Sequence, residues 1–432
     1  MNIKIFLCGD VLISKRLPFP LYDGGDEVSD LLKSHDLCLG NLETTIRRKE
    51  GYPEAFPGGG YAMAVPECLK DLKKIGFNMF NTANNHAMDY GHGGLLATIK
   101  YLTAEEILHA GTGENLSEAS SAVFFEHATG RVAMLGITSA FHDSYAAAPQ
   151  NQDMQGRPGV APLKHKEIYY LTKENYNRLL HIAQVTGINN YINQGIKEGY
   201  QLTNRNLKIG PYEFAQSNTE ENYLETFPNE ADLERTIKII QDAKMRAGVV
   251  IVCIHSHQFR GNSKTLVPDF IRTFAHQCIN FGADIIVCHG PHVLRGIEIY
   301  KKGVIFHGLG NFIFQHEAVN VLPEEFYQKY GTTRQNSIGV AEVFNIRSQG
   351  GKVGLNSQLE PWDTIIASLD ITDTKMNIAL YPIEISKGYS GGFPKLVKDS
   401  RILKKVCELS KEFGTNFNFE SELNRLIINI DR

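Results

Sequence analysis

The sequence predicts an α/β (α+β) fold: mixed β-sheets flanked by helices, with an inserted, partly helical segment. Three observations predict it. Short, fully apolar runs alternate with amphipathic stretches along most of the 432 residues. Some neighbouring apolar runs are joined by tight turns and read as hairpins. Nearly every apolar run ends in a cluster of Gly, Asn, Asp or His. Continuous apolar strands imply a sheet covered on both faces, and hairpins make the sheets mixed.

The elements follow in chain order. Residues 3–8 and 36–40 read as buried strands. Residues 66–75 have helical spacing, with Pro66 at a first-turn position. Residues 78–82 form a third short strand and 94–106 a helix. Val123–His127 and residues 131–137, joined at Ala128-Thr129-Gly130, read as a hairpin. From about 149 to 229 the composition turns to Gln, Asn, Tyr and charge, with helical spacing over 169–185. This stretch reads as an insertion outside the sheet core, expected to shape the substrate pocket. Glu230–Arg246 is then a helix, 249–254 an apolar strand, 267–280 a helix and 284–288 another apolar strand. Ile297–Tyr300 and residues 304–307 flank Lys301-Lys302-Gly303 in a second hairpin. Residues 338–345 and 376–385 are further strand candidates, and 396–412 is a final amphipathic helix. The expected organisation is one domain over 1–348 carrying the 149–229 insertion, and a C-terminal extension over 349–432 packed on the same core.

Composition narrows the function. A formal charge of −4 and no basic stripe argue against a dedicated nucleic-acid binder. The seven cysteines are scattered and form no CxxC pair, which suits reduced thiols in a cytoplasmic chain better than a disulfide framework. No run of about 18 apolar residues occurs, so no membrane segment is expected. Oligomeric state leaves no mark in the sequence.

The chemistry lies after the strands. Gly9-Asp10 follows the first, Gly40-Asn41-Leu42-Glu43 the second and Asn84-Asn85-His86 the third. His255-Ser256-His257, His289-Gly290-Pro291-His292 and Gly308-Leu309-Gly310-Asn311 follow the later ones. In an open α/β sheet the carboxyl ends of strands share one edge, where ligands bind. Distant clusters are therefore expected to converge. Each alone has a bland reading. Asp10 could cap a helix, Glu43 could be a surface carboxylate, Asn84-Asn85 could be a turn, and any one His could be structural. Their recurrence at successive strand ends is the signal. Two carboxylates, an amide oxygen and imidazoles suit Zn, Mn or Fe, and suit Mg or Ca less well. Asp10, Glu43, Asn85, His255, His289 and His292 are the candidate ligands, too many for one closed structural site. They suit two ions about 3.5–4 Å apart with a bridging hydroxide nucleophile. The other histidines, His316 among them, lack this context; only His92, close after Asp89-Tyr90-Gly91, is a weaker candidate for the site.

These stretches, with Gly156-Arg157-Pro158-Gly159-Val160-Ala161-Pro162-Leu163, Gly392-Phe393-Pro394-Lys395-Leu396 and Phe413-Gly414-Thr415, resemble the CapA or poly-gamma-glutamate capsule biosynthesis family over nearly the whole chain. The core of that family looks like a calcineurin-type metallophosphoesterase. The resemblance implies a four-layer sandwich of mixed sheets between helices. It also implies one or two divalent ions: Asp10 and His292 on one, Asn85, His255 and His289 on the other, Glu43 bridging. His86 would be the catalytic acid/base. Asn41, His257, Arg295 and Asn311 would face the substrate. Two positions depart from the phosphoesterase pattern: Leu12 stands where it has His, and Glu43 where it has Asp. The expected activity is metal-dependent hydrolysis of a phosphoester or a gamma-glutamyl or peptide bond. The substrate would be a small molecule, a peptide or an acidic polymer. Two alternatives are metal-dependent peptide epimerisation and a non-catalytic polymer-binding role. The latter predicts Lys and Arg from the insertion around the pocket.

Overall fold

Two β-sheets stack face to face between two layers of helices. The computed structural model describes residues 1–336, 338–388 and 390–432. The larger sheet has ten strands; its central part runs Lys375–Ile385, Asp363–Thr372, Asn2–Leu12, Leu37–Leu42, Met79–Asn81, Leu108–Ala110. The smaller has six, with Gly303–Phe306, Ile285–His289, Val249–His255 and Gly130–Thr138 at its centre. Ile3, Ile5, Leu7, Val249, Ile251, Ile285 and Val287 fill the space between the sheets. Phe6, Cys8 and Cys38 face the other way, onto helices Gly25–Lys33 and Glu67–Ile75. Val250, Val252 and Ile286 likewise pack on Glu230–Arg246 and Asp269–Asn280. Strands buried on both faces cannot alternate in polarity, which is why they read as unbroken apolar runs.

The parallel strands all deliver their carboxyl ends to one edge. Asn2–Leu12, Leu37–Leu42 and Met79–Asn81 run parallel in one sheet; Gly130–Thr138, Val249–His255, Ile285–His289 and Gly303–Phe306 do so in the other. The first strand changes neighbour midway. Residues 2–7 pair antiparallel with Asp363–Thr372, whereas Asp10 to Leu12 pair in parallel with Asn311–Phe314. The crossing is tight: a Cβ on Gly9 would lie 1.9 Å from the Gly310 carbonyl oxygen.

Several expectations need correction. Residues 338–345, read as a strand, lie largely in helix Val340–Arg347. The final helix is shorter, Ser400–Ser410, and follows a strand at Pro394–Leu396. The sequence reading does not include the long strand Asp363–Thr372 or the strand Arg425–Asp431, which lies between Lys375–Ile385 and the edge strand Asn418–Glu420. The 149–229 stretch is more than a helical insertion. Its first part is stitched to the core through Gly159–Val160, which pairs with Thr112–Gly113, and through Leu163, whose N–H bonds the Thr138 carbonyl. Its remainder holds a four-stranded sheet of its own. That sheet abuts helix Asp269–Asn280, where His165 stacks on Phe270 and Thr226 Oγ1 accepts from the Phe270 N–H.

The smaller sheet is tied to its covering helix by one buried carboxylate. Glu298, 3% exposed, accepts from Arg272 and bonds His276 at 2.9 Å and His307 at 3.0 Å. Burial opposes its ionisation, but these donors win and hold the carboxyl down at about 2. A depressed carboxylate contributes stability that is complete above the unfolded value near 4.3 and lost as pH falls through the folded value. Glu298→Gln is expected to cost about 2–3 kcal/mol at pH 7. The gap to wild type should close between pH 4 and pH 2 in urea-unfolding series. A gap that stays constant across that window would rule this account out.

Candidate metal centre

Asp10 and Glu43 are both fully buried, at 0% exposure, where the two sheets meet at their carboxyl edge. Asp10 interrupts the apolar strand Asn2–Leu12 and is held on both oxygens. Asn41 Nδ2 donates to Oδ1 at 2.9 Å and the Gly290 N–H to Oδ2 at 3.0 Å. Gly290 adopts φ +100°, and a Cβ there would sit 2.9 Å from the His255 ring, so glycine is what allows this approach. Asn41 is itself oriented: its Oδ1 accepts from Asn81 Nδ2 at 2.8 Å. Asn81 and Asn41 pair directly across adjacent strands.

Glu43 is the opposite case. Neither of its oxygens has a hydrogen-bond partner among the described residues. Three imidazoles face Oε1 without bonding it: His292 Nε2 at 3.5 Å, His255 Nε2 at 3.7 Å and His257 Nε2 at 3.9 Å. Donor atoms of Asp10, Glu43 and His255 lie within 4.8 Å of one another, and so do those of Glu43, His257 and His292. Glu43 is common to both sets. These buried groups could hold a metal ion, and mixed oxygen and nitrogen donors at this spacing fit one.

Charge follows the same geometry. Burial pushes the Glu43 carboxyl up, and the nearby Asp10 charge adds to that. Burial works against Asp10 too, but its hydrogen bond and charge attraction with His292 hold it below the usual carboxylate range. Burial likewise opposes charge on His292, yet Glu43 and Asp10 together raise it. Burial drives His255 down to about 3, and it lowers His257 and His289 as well.

The other candidates separate by what they touch. His289 Nε2 lies 3.2 Å from the Cys8 carbonyl, which can only accept. The proton therefore sits on Nε2, and the buried Nδ1, which has no partner, keeps its lone pair. A backbone carbonyl orienting one nitrogen so that the other can ligate is a common arrangement. Asn85 likewise keeps an unpartnered buried Oδ1, while its Nδ2 donates to the Gly58 carbonyl at 2.6 Å. His292 Nδ1 bonds Asn311 Oδ1 at 2.8 Å, and Asn311 Nδ2 donates to the Pro361 carbonyl, fixing the amide. His86 Nδ1 bonds Asp89 Oδ2 at 2.6 Å, and Asp89 also accepts from the Gly58 and Ala62 N–H groups. Burial opposes charge on His86, but Asp89 outweighs it and the imidazole is raised.

Beside the donors is a cavity of about 210 Å³ lined by Asn85, His86, His257, His292 and the Gly58-Gly59-Gly60 loop. Lys264, Phe314, His316, Phe344 and Arg347 complete much of its wall. The structure thus departs from several sequence expectations. Asn41 lies behind Asp10, away from this wall. Arg295 is 1% exposed and donates to the Lys264 and Gln258 carbonyls, holding the loop after His257 rather than facing the cavity. His257 falls inside a donor set with Glu43 and His292, and it lines the same cavity as Leu12. His92 is exposed at the start of helix Gly91–Ala104 and lines nothing here. His316, discounted for want of context, lines the cavity. None of the lining residues belongs to 149–229, so the insertion does not shape this pocket.

A helix-flanked double sheet with a buried carboxylate–imidazole cluster at its shared strand ends defines a sandwich protein with a candidate metal centre. The chain belongs to the family of the bacterial capsule synthesis protein PGA_cap, whose model matches residues 4–316. The chain is 30% identical to the uncharacterized protein y4sH of Sinorhizobium fredii (strain NBRC 101917 / NGR234) over 439 residues, covering 96% of this chain and 91% of that one. It is 27% identical to the PGA biosynthesis protein CapA of Bacillus subtilis (strain 168), covering 73% and 62%. With the capsule biosynthesis protein CapA of Bacillus anthracis the identity is 26%, covering 81% and 68%. The CapA-type resemblance expected from the motifs is therefore shown. Among the described residues, no helix is long and apolar enough to cross a membrane.

The close crossing at Gly9 is a test of how the centre is built. Gly9→Ala must move either Asp10 or the Gly310 turn. It is expected to cost about 3 kcal/mol or more, within the range for overpacked cores. Thermal unfolding with and without added Zn²⁺ measures it. A variant as stable as wild type, with an equal metal-induced shift, would contradict the crowding described here.

Proposed function

We propose that this chain is a metal-dependent hydrolase of the CapA type, acting on a phosphoester or on a gamma-glutamyl or peptide bond. The observation that carries the reading is Glu43: a fully buried carboxylate with two unpartnered oxygens, ringed by imidazoles. Burying such a group costs several kcal/mol unless a cation compensates it. Asp10, His255, His257 and His292 would complete the donor set with Glu43, and Asn85 and His289 would add the unpartnered Oδ1 and Nδ1. His257 joins the ligands here, taking the part of the imidazole missing at Leu12. When bound, one or two divalent ions such as Mn, Zn or Fe would supply Lewis acidity and activate water.

The chain's own residues do the rest. His86 lines the cavity, and Asp89 fixes its Nδ1 and favours the protonated ring. It can therefore give a proton to a leaving group. Asn41, Asn81 and Gly290 keep Asp10 aimed, and Asn311 does the same for His292. Lys264 and Arg347 at the cavity favour an anionic substrate, which suits a phosphoester, a glutamyl carboxylate or an acidic polymer. The names of the Bacillus relatives, which speak of PGA and capsule biosynthesis, agree with a role in handling such a polymer. The purely polymer-binding alternative expects cations from the insertion around the pocket; Lys264 and Arg347 both lie outside it.

Metal analysis of the protein purified without added metal should find at least one Zn, Mn or Fe per chain, and Glu43→Gln should lose most of it. No metal, and no rebinding of Zn²⁺ or Mn²⁺, would sink the reading. His86→Ala should keep its metal but lower kcat about 10²–10⁴-fold on a turned-over phosphodiester or gamma-glutamyl substrate. Wild-type rates in that variant would remove His86 from the mechanism.

A further inference from the structure

The wall of the cavity opposite in sequence to the strand-end motifs comes from a segment beyond residue 316, where the family match stops. This segment is held by packing. Val319, Phe326, Tyr327, Val343 and Phe344 form one apolar cluster with Tyr61 and Tyr90, which flank the Gly-rich loop and the Asp89 turn. Phe326 meets Tyr61 edge-on at 6.4 Å and Phe344 at its other side at 5.6 Å. The cluster seats helix Val340–Arg347 so that its last residues, Phe344 and Arg347, line the cavity.

Arg347 arrives there without a carboxylate bonded to it among the described residues, although Glu317 is near enough to feel its charge. Among the described residues its guanidinium makes no ion pair; its contact is the Phe344 ring, 5.9 Å away. The nearby acid, Glu317, feels the Arg347 charge, but its hydrogen bond goes to Asn356 Nδ2 at 2.6 Å and not to the guanidinium. Across the loop, a Cβ on Gly60 would lie 3.9 Å from Arg347 Nη1, so the guanidinium sits against the Gly-rich loop that lines the cavity. Lys264, the second cation on the wall, makes no ion pair among the described residues either. A partly buried guanidinium whose donors are not bonded to an acid is a receptor for a planar or tetrahedral oxyanion.

We propose that Arg347 is a specificity-determining residue: helix Val340–Arg347 presents it to the cavity, where with Lys264 it receives an anionic group of the substrate, a carboxylate or a phosphate oxyanion. This rests on the hydrolase reading of the same site. It adds that substrate choice is set by the segment outside the family match, while the strand-end donors carry the reaction.

The test is isothermal titration of the metal-analysed full chain with glutarate, with inorganic phosphate and with neutral glutaramide. Wild type should bind at least one of the anions and not glutaramide. Arg347→Met should weaken that anion about ten- to a hundredfold. Arg347→Lys should recover part of the loss, because it keeps the charge but not the fork. The exposed Arg178→Met should change nothing. Weakening of glutarate alone assigns a carboxylate; weakening of phosphate assigns a phosphoryl group. Unchanged affinities in Arg347→Met, equal weakening in Arg178→Met, or a wild type that binds neither anion would each overturn the proposal. Metal content is read in parallel. Retained metal with unchanged affinity defeats only the role of Arg347, whereas a wild type that holds no metal defeats the hydrolase reading.

Discussion

Everything around the centre answers to the burial of Glu43 beside Asp10. Two carboxylates in the same dry space repel each other and lose their hydration. The protein meets the cost of Asp10 with its own donors, Asn41 and the Gly290 N–H. It leaves Glu43 without any. An arrangement that fully satisfies one acid and strands its neighbour leaves the second able to hold a cation.

The architecture follows from bringing those groups together. No single sheet could surround Glu43, because strand ends in one sheet lie along a line. Two sheets packed face to face place Asp10 and Glu43 from the larger opposite His255, His289 and His292 from the smaller. The sandwich core of Ile, Leu and Val then keeps the far side of the cluster dry. Glycines at the contact points let backbone approach backbone. Side chains that do not touch the cavity still serve it: Asn81 orients Asn41, Asn311 orients His292, and Arg295 pins the loop after His257.

How far the site was legible depends on whether a residue's role is local. Asp10, Glu43, Asn85, His86, His255, His289 and His292 each follow an apolar run, so position and residue type marked them together. His257 carried the same mark but was placed with substrate, since only the fold brings its donor atom within 4.8 Å of those of Glu43 and His292. His316 had no mark at all; it reaches the cavity because the chain after Asn311–Phe314 turns across it. Arg347 was hidden for a second reason: residues 338–345 read as a strand that stops short of it, their short apolar run being equally compatible with a helix. Asp363–Thr372 was missed although it pairs with the first strand at six positions and with the neighbouring Lys375–Ile385 at nine.

The sequence by itself determined that helices and buried strands alternate, that polar clusters cap those strands, and that their residue types suit a metal. These are local properties: apolar periodicity and the chemistry of neighbouring residues. Only the tertiary structure decided which clusters meet, which oxygens of Glu43 and Asp10 are satisfied, and that the insertion stands away from the cavity while Arg347 enters it. Those outcomes depend on packing between segments hundreds of residues apart, and no spacing within the chain encodes them.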